Sequence, residues 1–247
     1  MSPRFDPTQF TASTPRPLPI ILLLDTSGSM AENASVVAGV PTATRIAVLN
    51  DAVRRMLNTL KREESVGSDF LLSVITFGGT ASLIYPPASL ANFTFGDLPA
   101  GGLTPLGAAL GIASALIEDK TMTPSRAYAP LVVLVSDGES NDEWEKPLED
   151  FIESGRSSKC DRMAMGIGEN ALGGKARQIL EKFATGTGRD IFEANDADGI
   201  HKFFKFVTMS VVARSRSFDP NIIPDSDSIG KVATSKPEKN DDGESYW

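Results

Sequence analysis

The chain has 247 residues, of which 41% are apolar and 23% are charged, so it is long enough for one large or two small domains with a buried core. Acidic residues outnumber basic residues by 32 to 24, and this net charge of −8 argues against nucleic acid or an anionic membrane surface as the main partner. One cysteine excludes an internal disulfide and a Cys-cluster zinc site, and one histidine makes any Ser/His/Asp triad depend on His201.

Strands and helices are predicted to alternate from residue 20 to residue 212. The apolar runs at 20–24 and 131–135 are bounded by turn residues, which is typical of strands buried on both faces. Apolar residues at helical spacing predict a helix over 45–60, with Arg45 largely off its apolar stripe. The remaining predicted strands are 70–77, 82–85, 162–167 and 190–192, and the remaining predicted helices are 105–117, 144–153, 175–183 and 199–212.

This alternation predicts an α/β fold in which helices cover both faces of a central, mostly parallel sheet. The strands at 70–77 and 82–85 are close enough in sequence to form a hairpin, so one edge strand is expected to be antiparallel. Thr104 is a suitable cap for the helix at 105–117, and Pro105 suits its first position.

Three regions follow from the composition. Residues 1–18 are interrupted by prolines and predict an extended N-terminal arm, and residues 19–214 form the predicted domain. Residues 215–247 predict a C-terminal tail that is disordered or ordered by a partner, because from residue 217 onward seven acids and three lysines occur without periodicity. Neither a signal-peptide core nor a membrane-spanning apolar run is present in the sequence, so we expect a cytoplasmic protein.

Oxygen-bearing side chains follow the strands that are predicted to be buried. Asp25, Ser27 and Ser29 lie in D-T-S-G-S, Thr104 in G-G-L-T-P-L-G and Asp137 in S-D-G. Ligands of open α/β sheets collect at the carboxyl ends of the strands, and two carboxylates with three hydroxyls suit a hard divalent cation. The sequence therefore predicts a Mg²⁺ site, with Mn²⁺ or Ca²⁺ as alternatives, while Ser136 and Ser140 are assigned to turn structure.

The charge of this site points to binding rather than to catalysis. Two carboxylates leave a dication formally neutral, and hydroxyl ligands leave it electrophilic enough to accept a further acidic group. Such a site binds a carboxylate from another molecule and needs no general base.

The three motifs resemble the metal-ion-dependent adhesion site of von Willebrand factor A domains, and the likeness covers roughly residues 20–212. The phrases P-R-P-L-P-I-I-L-L-L-D-T-S-G-S-M, L-S-V-I-T-F, G-G-L-T-P-L-G-A-A-L, S-D-G-E-S-N-D-E-W and F-F-K-F-V-T-M-S-V resemble the bacterial TerY-type members, which are linked to tellurite resistance and stress systems. The resemblance implies a three-layer Rossmann-like fold and metal contacts from Asp25, Ser27, Ser29, Thr104 and, through water, Asp137.

The same resemblance implies a function without catalysis. It implies that the domain binds a protein partner whose Glu or Asp completes the metal site, with a protein kinase and a PP2C-like phosphatase as candidate partners. The segment at 31–44 is longer than the usual link into the first helix, so it departs from the family pattern beside the predicted metal.

Two other functions remain open at this stage. A metal-dependent phosphoester hydrolase of the haloacid-dehalogenase kind would need a second aspartate two residues after Asp25 as general acid, and that position is Ser27. An assembly protein that acts through its termini would carry the metal site as a vestige. His201 is expected at the surface, Cys160 as an unpaired thiol, and Trp144 either in packing or at the rim of the site.

Overall fold

A central sheet of six strands organises the domain. The computed structural model describes residues 16–37, 40, 41, 43–217, 220 and 221, so residues 1–15 of the predicted arm and residues 222–247 of the predicted tail lie outside the described residues. The strands are β1 (Leu18–Asp25), β4 (Phe70–Gly78), β5 (Thr80–Ala88), β6 (Leu131–Ser136), β7 (Asp161–Ile167) and β8 (Phe192–Ala194). Their order in the sheet is β5-β4-β1-β6-β7-β8, with β5 antiparallel to β4 and the other pairs parallel.

Helices cover both faces of this sheet, which confirms the predicted α/β class with one antiparallel edge. The helices are α1 (Arg45–Ser65), α2 (Leu106–Glu118), α3 (Glu145–Glu153), α4 (Gly168–Ala171), α5 (Gly174–Ala184) and α6 (Ala197–Arg216). Within the described part of the chain, no helix is long and apolar enough to cross a membrane.

Strand β1 is fully buried because its side chains alternate between two apolar layers. Ile20, Leu22 and Leu24 face the layer that contains α1 and α6. Ile21 and Leu23 face the layer that contains α2, α3 and α5. The continuous apolar run in the sequence is therefore the direct consequence of two buried faces, and it fixes β1 at the centre of the sheet.

Several elements are longer than periodicity predicts. Strand β5 has nine residues instead of four, because it is an edge strand whose side chains alternate between exposed and half-buried positions and provide no apolar run. A register shift interrupts its pairing with β4 between Leu72 and Ile75. Helix α6 continues to Arg216, so residues 215 and 216 of the predicted tail are helical.

The segment at 31–44 folds beside the end of β1. A short turn of 3-10 helix at Gly28–Ala31 leads into the two-stranded ribbon of β2 (Val36–Val37) and β3 (Val40–Pro41). Its base is closed by the Ala34 amide on the Ala43 carbonyl, 2.9 Å, and by the Arg45 amide on the Glu32 carbonyl, 2.8 Å. The segment at 31–44 therefore leads directly into the first residue of α1.

A buried ion cluster closes the opposite pole of the sheet, where β7 begins. Arg214 of α6 is fully buried, and its guanidinium donates to the carbonyls of Pro220 (2.9 Å) and Ala129 (2.7 Å). It also lies 3.6 Å from the carboxylate of Asp161, whose other oxygen pairs with Arg189. These contacts fasten the end of α6 to the sheet.

Removing the Arg214 guanidinium is expected to destabilise the domain. Arg214→Ala leaves the buried Asp161 with one cation fewer and two carbonyls without donors, which lowers the free energy of unfolding by about 3 kcal/mol. Arg216→Ala, two residues further along α6, removes a side chain that is 63% exposed and paired with Glu63, so it is expected to cost less than about 1 kcal/mol. Urea denaturation measures both, and equal losses would contradict the role assigned to Arg214.

Candidate metal site

Three loops meet at the carboxyl end of the sheet. The loop after β1 bonds to the loop before α2 through the Gly28 amide on the Gly102 carbonyl, 2.9 Å, and the Gly101 amide on the Thr26 carbonyl, 2.8 Å. The loop after β6 reaches the same place, because the Asn141 amide donates to the Thr104 carbonyl at 3.1 Å. The three motifs that the sequence singles out are thus joined by backbone hydrogen bonds.

Glycines permit this close approach. Gly102 has a φ of +79°, and a Cβ on it would lie 2.4 Å from the Gly79 Cα. A Cβ on Gly78 would lie 2.2 Å from the Thr26 carbonyl oxygen. A larger residue at Gly102 would therefore push the loop before α2 away from the turn between β4 and β5, and one at Gly78 would push the end of β4 away from the loop after β1.

Asp25, the last residue of β1, is held by two hydrogen bonds. Its carboxylate is fully buried, with one oxygen accepting from the Ser27 amide at 2.8 Å and the other from the Ser136 hydroxyl at 2.7 Å. Ser136, which sequence analysis assigned to the turn after β6, therefore also orients Asp25. The turn itself supplied no sign of this contact, which spans 111 residues.

A chain of side-chain hydrogen bonds links three of the other predicted ligands. The Ser27 and Ser29 hydroxyl oxygens are 3.0 Å apart, and the Ser29 hydroxyl donates to a carboxylate oxygen of Asp137 at 2.6 Å. Asp137 is fully buried, like Asp25. Four of the five predicted ligands thus form one connected cluster of oxygen atoms at the end of β1 and β6.

Thr104 joins the site through its backbone, and its role at the helix differs from the prediction. The helix begins at Leu106, with Pro105 at the cap position, so Thr104 is not the capping residue. The carboxylate of Asp142 caps α2 instead, accepting from the amides of Gly107 and Ala108 at 2.9 Å each. The Thr104 carbonyl accepts from the Ser140 hydroxyl at 3.2 Å. Capping therefore makes no demand on the Thr104 hydroxyl.

Arg45 is a site residue that sequence analysis missed. Periodicity placed it off the apolar stripe of α1, but its side chain is only 11% exposed and donates to Asp137 at 3.0 Å. Its guanidinium also pairs with the exposed carboxylate of Glu32, in the segment at 31–44, at 3.1 Å. Its burial follows from a charge contact that hydrophobic spacing does not register.

Burial disfavours the charged forms of both carboxylates. It raises the pKa of Asp25 to about 6, and the nearby charge of Asp137 adds to this rise. Burial also raises the pKa of Asp137, although hydrogen bonds from Ser29 and Arg45 oppose the rise. A cation between these groups would remove the penalty.

The donor set fits a hard divalent cation. In the described part of the chain, no three His, Cys, Asp or Glu side chains cluster, so a metal here would depend on hydroxyl as well as carboxylate oxygens. Oxygen donors of this kind suit Mg²⁺, Mn²⁺ or Ca²⁺ better than softer ions.

The Asp25 shift predicts how stability depends on pH in the absence of metal. The folded-state pKa of about 6 lies above the usual 3.8. The contribution of Asp25 to the free energy of unfolding is therefore fully present below pH 3.8 and is lost as the pH rises through about 6. Asp25→Asn removes this loss and should be more stable than the unsubstituted chain at neutral pH by on the order of 2 kcal/mol. Urea denaturation in EDTA at a series of pH values measures it, and a difference independent of pH would contradict it.

Comparisons with known proteins agree with this geometry. Residues 20–139 match the sequence model of the von Willebrand factor type A domain. No curated protein shows a significant match to the chain.

Among solved structures, the PilB minor pilin of Streptococcus sanguinis is 16% identical, with a TM-score of 0.57 over 82% of this chain and 63% of the pilin. Proximal thread matrix protein 1 of the mussel byssus, with zinc in its adhesion-site motif, is 18% identical, with a TM-score of 0.56 over 81% of this chain and 48% of that chain.

The ArnB paralog VWA2 of Sulfolobus acidocaldarius is 15% identical, with a TM-score of 0.53 over 79% of this chain and 45% of that chain. This chain therefore spans less than two thirds of each of these proteins, and at such identities the likeness concerns the fold. Residues 20–139 are therefore similar in sequence to the von Willebrand factor type A domain, and the chain shares the fold of these solved structures.

Proposed function

We propose that the domain holds a divalent cation and uses it to capture an acidic residue of a protein partner. The ligands are side-chain oxygens from all three loops: Asp25, Ser27, Ser29, Thr104 and Asp137. Mg²⁺ is the first candidate, because the donors are hard oxygen atoms. The function is non-enzymatic binding.

One observation carries this proposal: two fully buried carboxylates belong to one hydrogen-bonded cluster, in which the Ser27 amide donates to Asp25 and the Ser27 and Ser29 hydroxyls lead on to Asp137. Buried carboxylates are unfavourable unless a cation or hydrogen bonds compensate them. Arg45 compensates Asp137 in part, whereas Asp25 receives only neutral donors. A dication beside Asp25 would supply the missing charge.

The charge balance supports recognition of an acid. A dication with Asp25 and Asp137 is formally neutral, so a third carboxylate can approach without the repulsion that two uncompensated acids would exert. The partner's Asp or Glu would then bind the metal directly. This is the role that the resemblance to adhesion sites implies.

The hydrolase alternative has less support. Ser27 stands two residues after Asp25, and its hydroxyl cannot act as the general acid of that mechanism. His201, the one histidine, bonds to Asp51 of α1 at 2.9 Å. Cys160 is buried, and burial raises its pKa to about 12, so its thiolate is suppressed.

The choice of metal rests on the donor atoms, and the cellular setting rests on likeness. The mussel byssus protein carries zinc in the corresponding motif, which supports a divalent ion without selecting one. We propose Mg²⁺ from the donors, and a cytoplasmic scaffold or switch in a bacterial stress-response or tellurite-resistance complex from the TerY-type resemblance. A protein kinase and a PP2C-like phosphatase are the candidate partners on the same ground.

Thr104→Val tests the metal assignment. Valine keeps the shape of threonine but lacks the hydroxyl, and because Asp142 caps α2, stability without metal should change by less than about 0.5 kcal/mol. Mg²⁺ affinity should fall at least about tenfold, since even outer-shell changes typically cost that much. Isothermal titration with MgCl₂ measures the affinity.

Asp142→Ala is the contrast, because losing the cap should lower stability by about 1 kcal/mol. Unchanged affinity in Thr104→Val would remove Thr104 from the ligand set.

Partner capture tests the function itself. Immobilised full-length protein should retain a set of proteins in Mg²⁺ that is lost both in EDTA and with Asp25→Asn, as measured by quantitative mass spectrometry. Asp198→Asn is the matched control, because Asp198 is an exposed aspartate paired with Lys202 on α6. Equal recovery by Asp25→Asn and by the unsubstituted chain would contradict the proposal.

A further inference from the structure

The charges around the candidate metal site are distributed unequally. Between Phe70 and Ile117 the sequence has one charged residue, Asp97, whereas 23% of the whole chain is charged. This stretch comprises β4, β5, the loop before α2 and most of α2. One side of the site is therefore built almost entirely from uncharged residues.

Leu103 is the prominent side chain on this uncharged side. It directly precedes Thr104 and is 65% exposed. Its backbone is fixed, because its carbonyl accepts from the Gly79 amide at 2.7 Å and the neighbouring Gly102 carbonyl accepts from the Gly28 amide at 2.9 Å. A large apolar side chain is thus held in solvent next to Thr104, where contact with an apolar group of a partner would bury it.

A cleft of about 310 Å³ has no charged residue in its wall, which includes Gly78 and Thr80, the two neighbours of the residue whose amide bonds to the Leu103 carbonyl. Its wall includes Thr26, next to the predicted ligands Asp25 and Ser27, and Gly101, whose amide donates to the Thr26 carbonyl at 2.8 Å. The exposed side chains of β5 continue the wall away from the site, through Ser82 to Ile84. The cleft therefore runs from the metal loops toward the edge strand.

The other side of the site carries carboxylates. Glu32 and Glu139 are exposed on the loops that follow β1 and β6, and Glu169 is exposed on α4, which follows β7. The nearby Arg45 is already engaged by Glu32 and Asp137. An acidic partner segment that crossed this side would meet negative charge, whereas the Leu103 side offers none.

We propose that the partner segment carries an apolar residue next to the acid that binds the metal, and that this residue lies against Leu103 and in the adjoining cleft. The inference rests on the proposed function and specifies its ligand: an aspartate or glutamate flanked by an apolar side chain, without a second acid beside it. The metal then supplies affinity for the carboxylate, and the uncharged surface selects among acids by their neighbours.

A panel of immobilised peptides tests this selection. Each peptide has a central Glu flanked by Leu, Ser, Lys or Glu, and each has a Gln counterpart. Fluorescently labelled full-length protein is applied in MgCl₂ and in EDTA. Leu-flanked Glu should retain the most protein, roughly tenfold more than Ser-flanked Glu, as expected for one apolar contact, and Glu-flanked Glu the least.

Matched variants locate the selecting surface. Leu103→Ser should remove the preference for Leu-flanked peptides, and Ser82→Lys, which brings a charge into the cleft, should reduce it independently. Val66→Ser is the control, because Val66 is also exposed and apolar, at 75%, but lies at the end of α1. Mg²⁺ affinity should be the same in all three variants.

The outcomes separate this inference from the function on which it rests. Mg²⁺-dependent capture that is equal for Leu- and Ser-flanked Glu, or lost equally with Leu103→Ser and Val66→Ser, overturns the inference alone. Capture that is insensitive to EDTA and to the change from Glu to Gln, or absent for every peptide, overturns the proposed function as well.

Discussion

Two buried carboxylates at the end of the sheet impose the main constraint on this domain. Asp25 and Asp137 are held out of water by the surrounding loops, where their negative charge is costly. Neighbouring donors reduce that cost. Asp25 accepts from the Ser27 amide and the Ser136 hydroxyl, and Asp137 accepts from the Ser29 hydroxyl and the Arg45 guanidinium. The remaining deficit of positive charge is what makes the place suitable for a cation.

The surrounding shell is rigid before any ligand binds. The loops after β1, before α2 and after β6 are joined by backbone hydrogen bonds, and Gly102 allows the loop before α2 to pack against the turn between β4 and β5 more closely than a residue with a Cβ would. Asp142 fixes the first turn of α2 from the loop after β6. An ion therefore meets oxygen atoms whose positions are largely set in advance, which reduces the entropy lost on binding.

The sequence was sufficient for the fold class and for the meeting of the three loops. Buried parallel strands produce continuous apolar runs, and motifs that follow such strands must gather at one edge of the sheet. The parts that it did not predict depend on contacts between distant residues. Ser136 reaches Asp25 across 111 positions, and Asp142 caps a helix 34 to 35 positions away. Arg45 is buried because its guanidinium pairs with Asp137, and hydrophobic periodicity does not detect such a contact.

The edge strand β5 affects how readily the protein associates with itself in solution. Edge strands commonly carry lysines or other charges that prevent pairing with neighbouring molecules, and β5 has none. Two other features hinder the pairing of β5 with a further strand. Its own pairing with β4 is irregular, and its two consecutive prolines, Pro86 and Pro87, lack the amide hydrogen that an added strand would need. Resistance of this edge to aggregation is therefore concentrated in its second half, and a change that replaced the prolines would leave a long uncharged ribbon open to self-association.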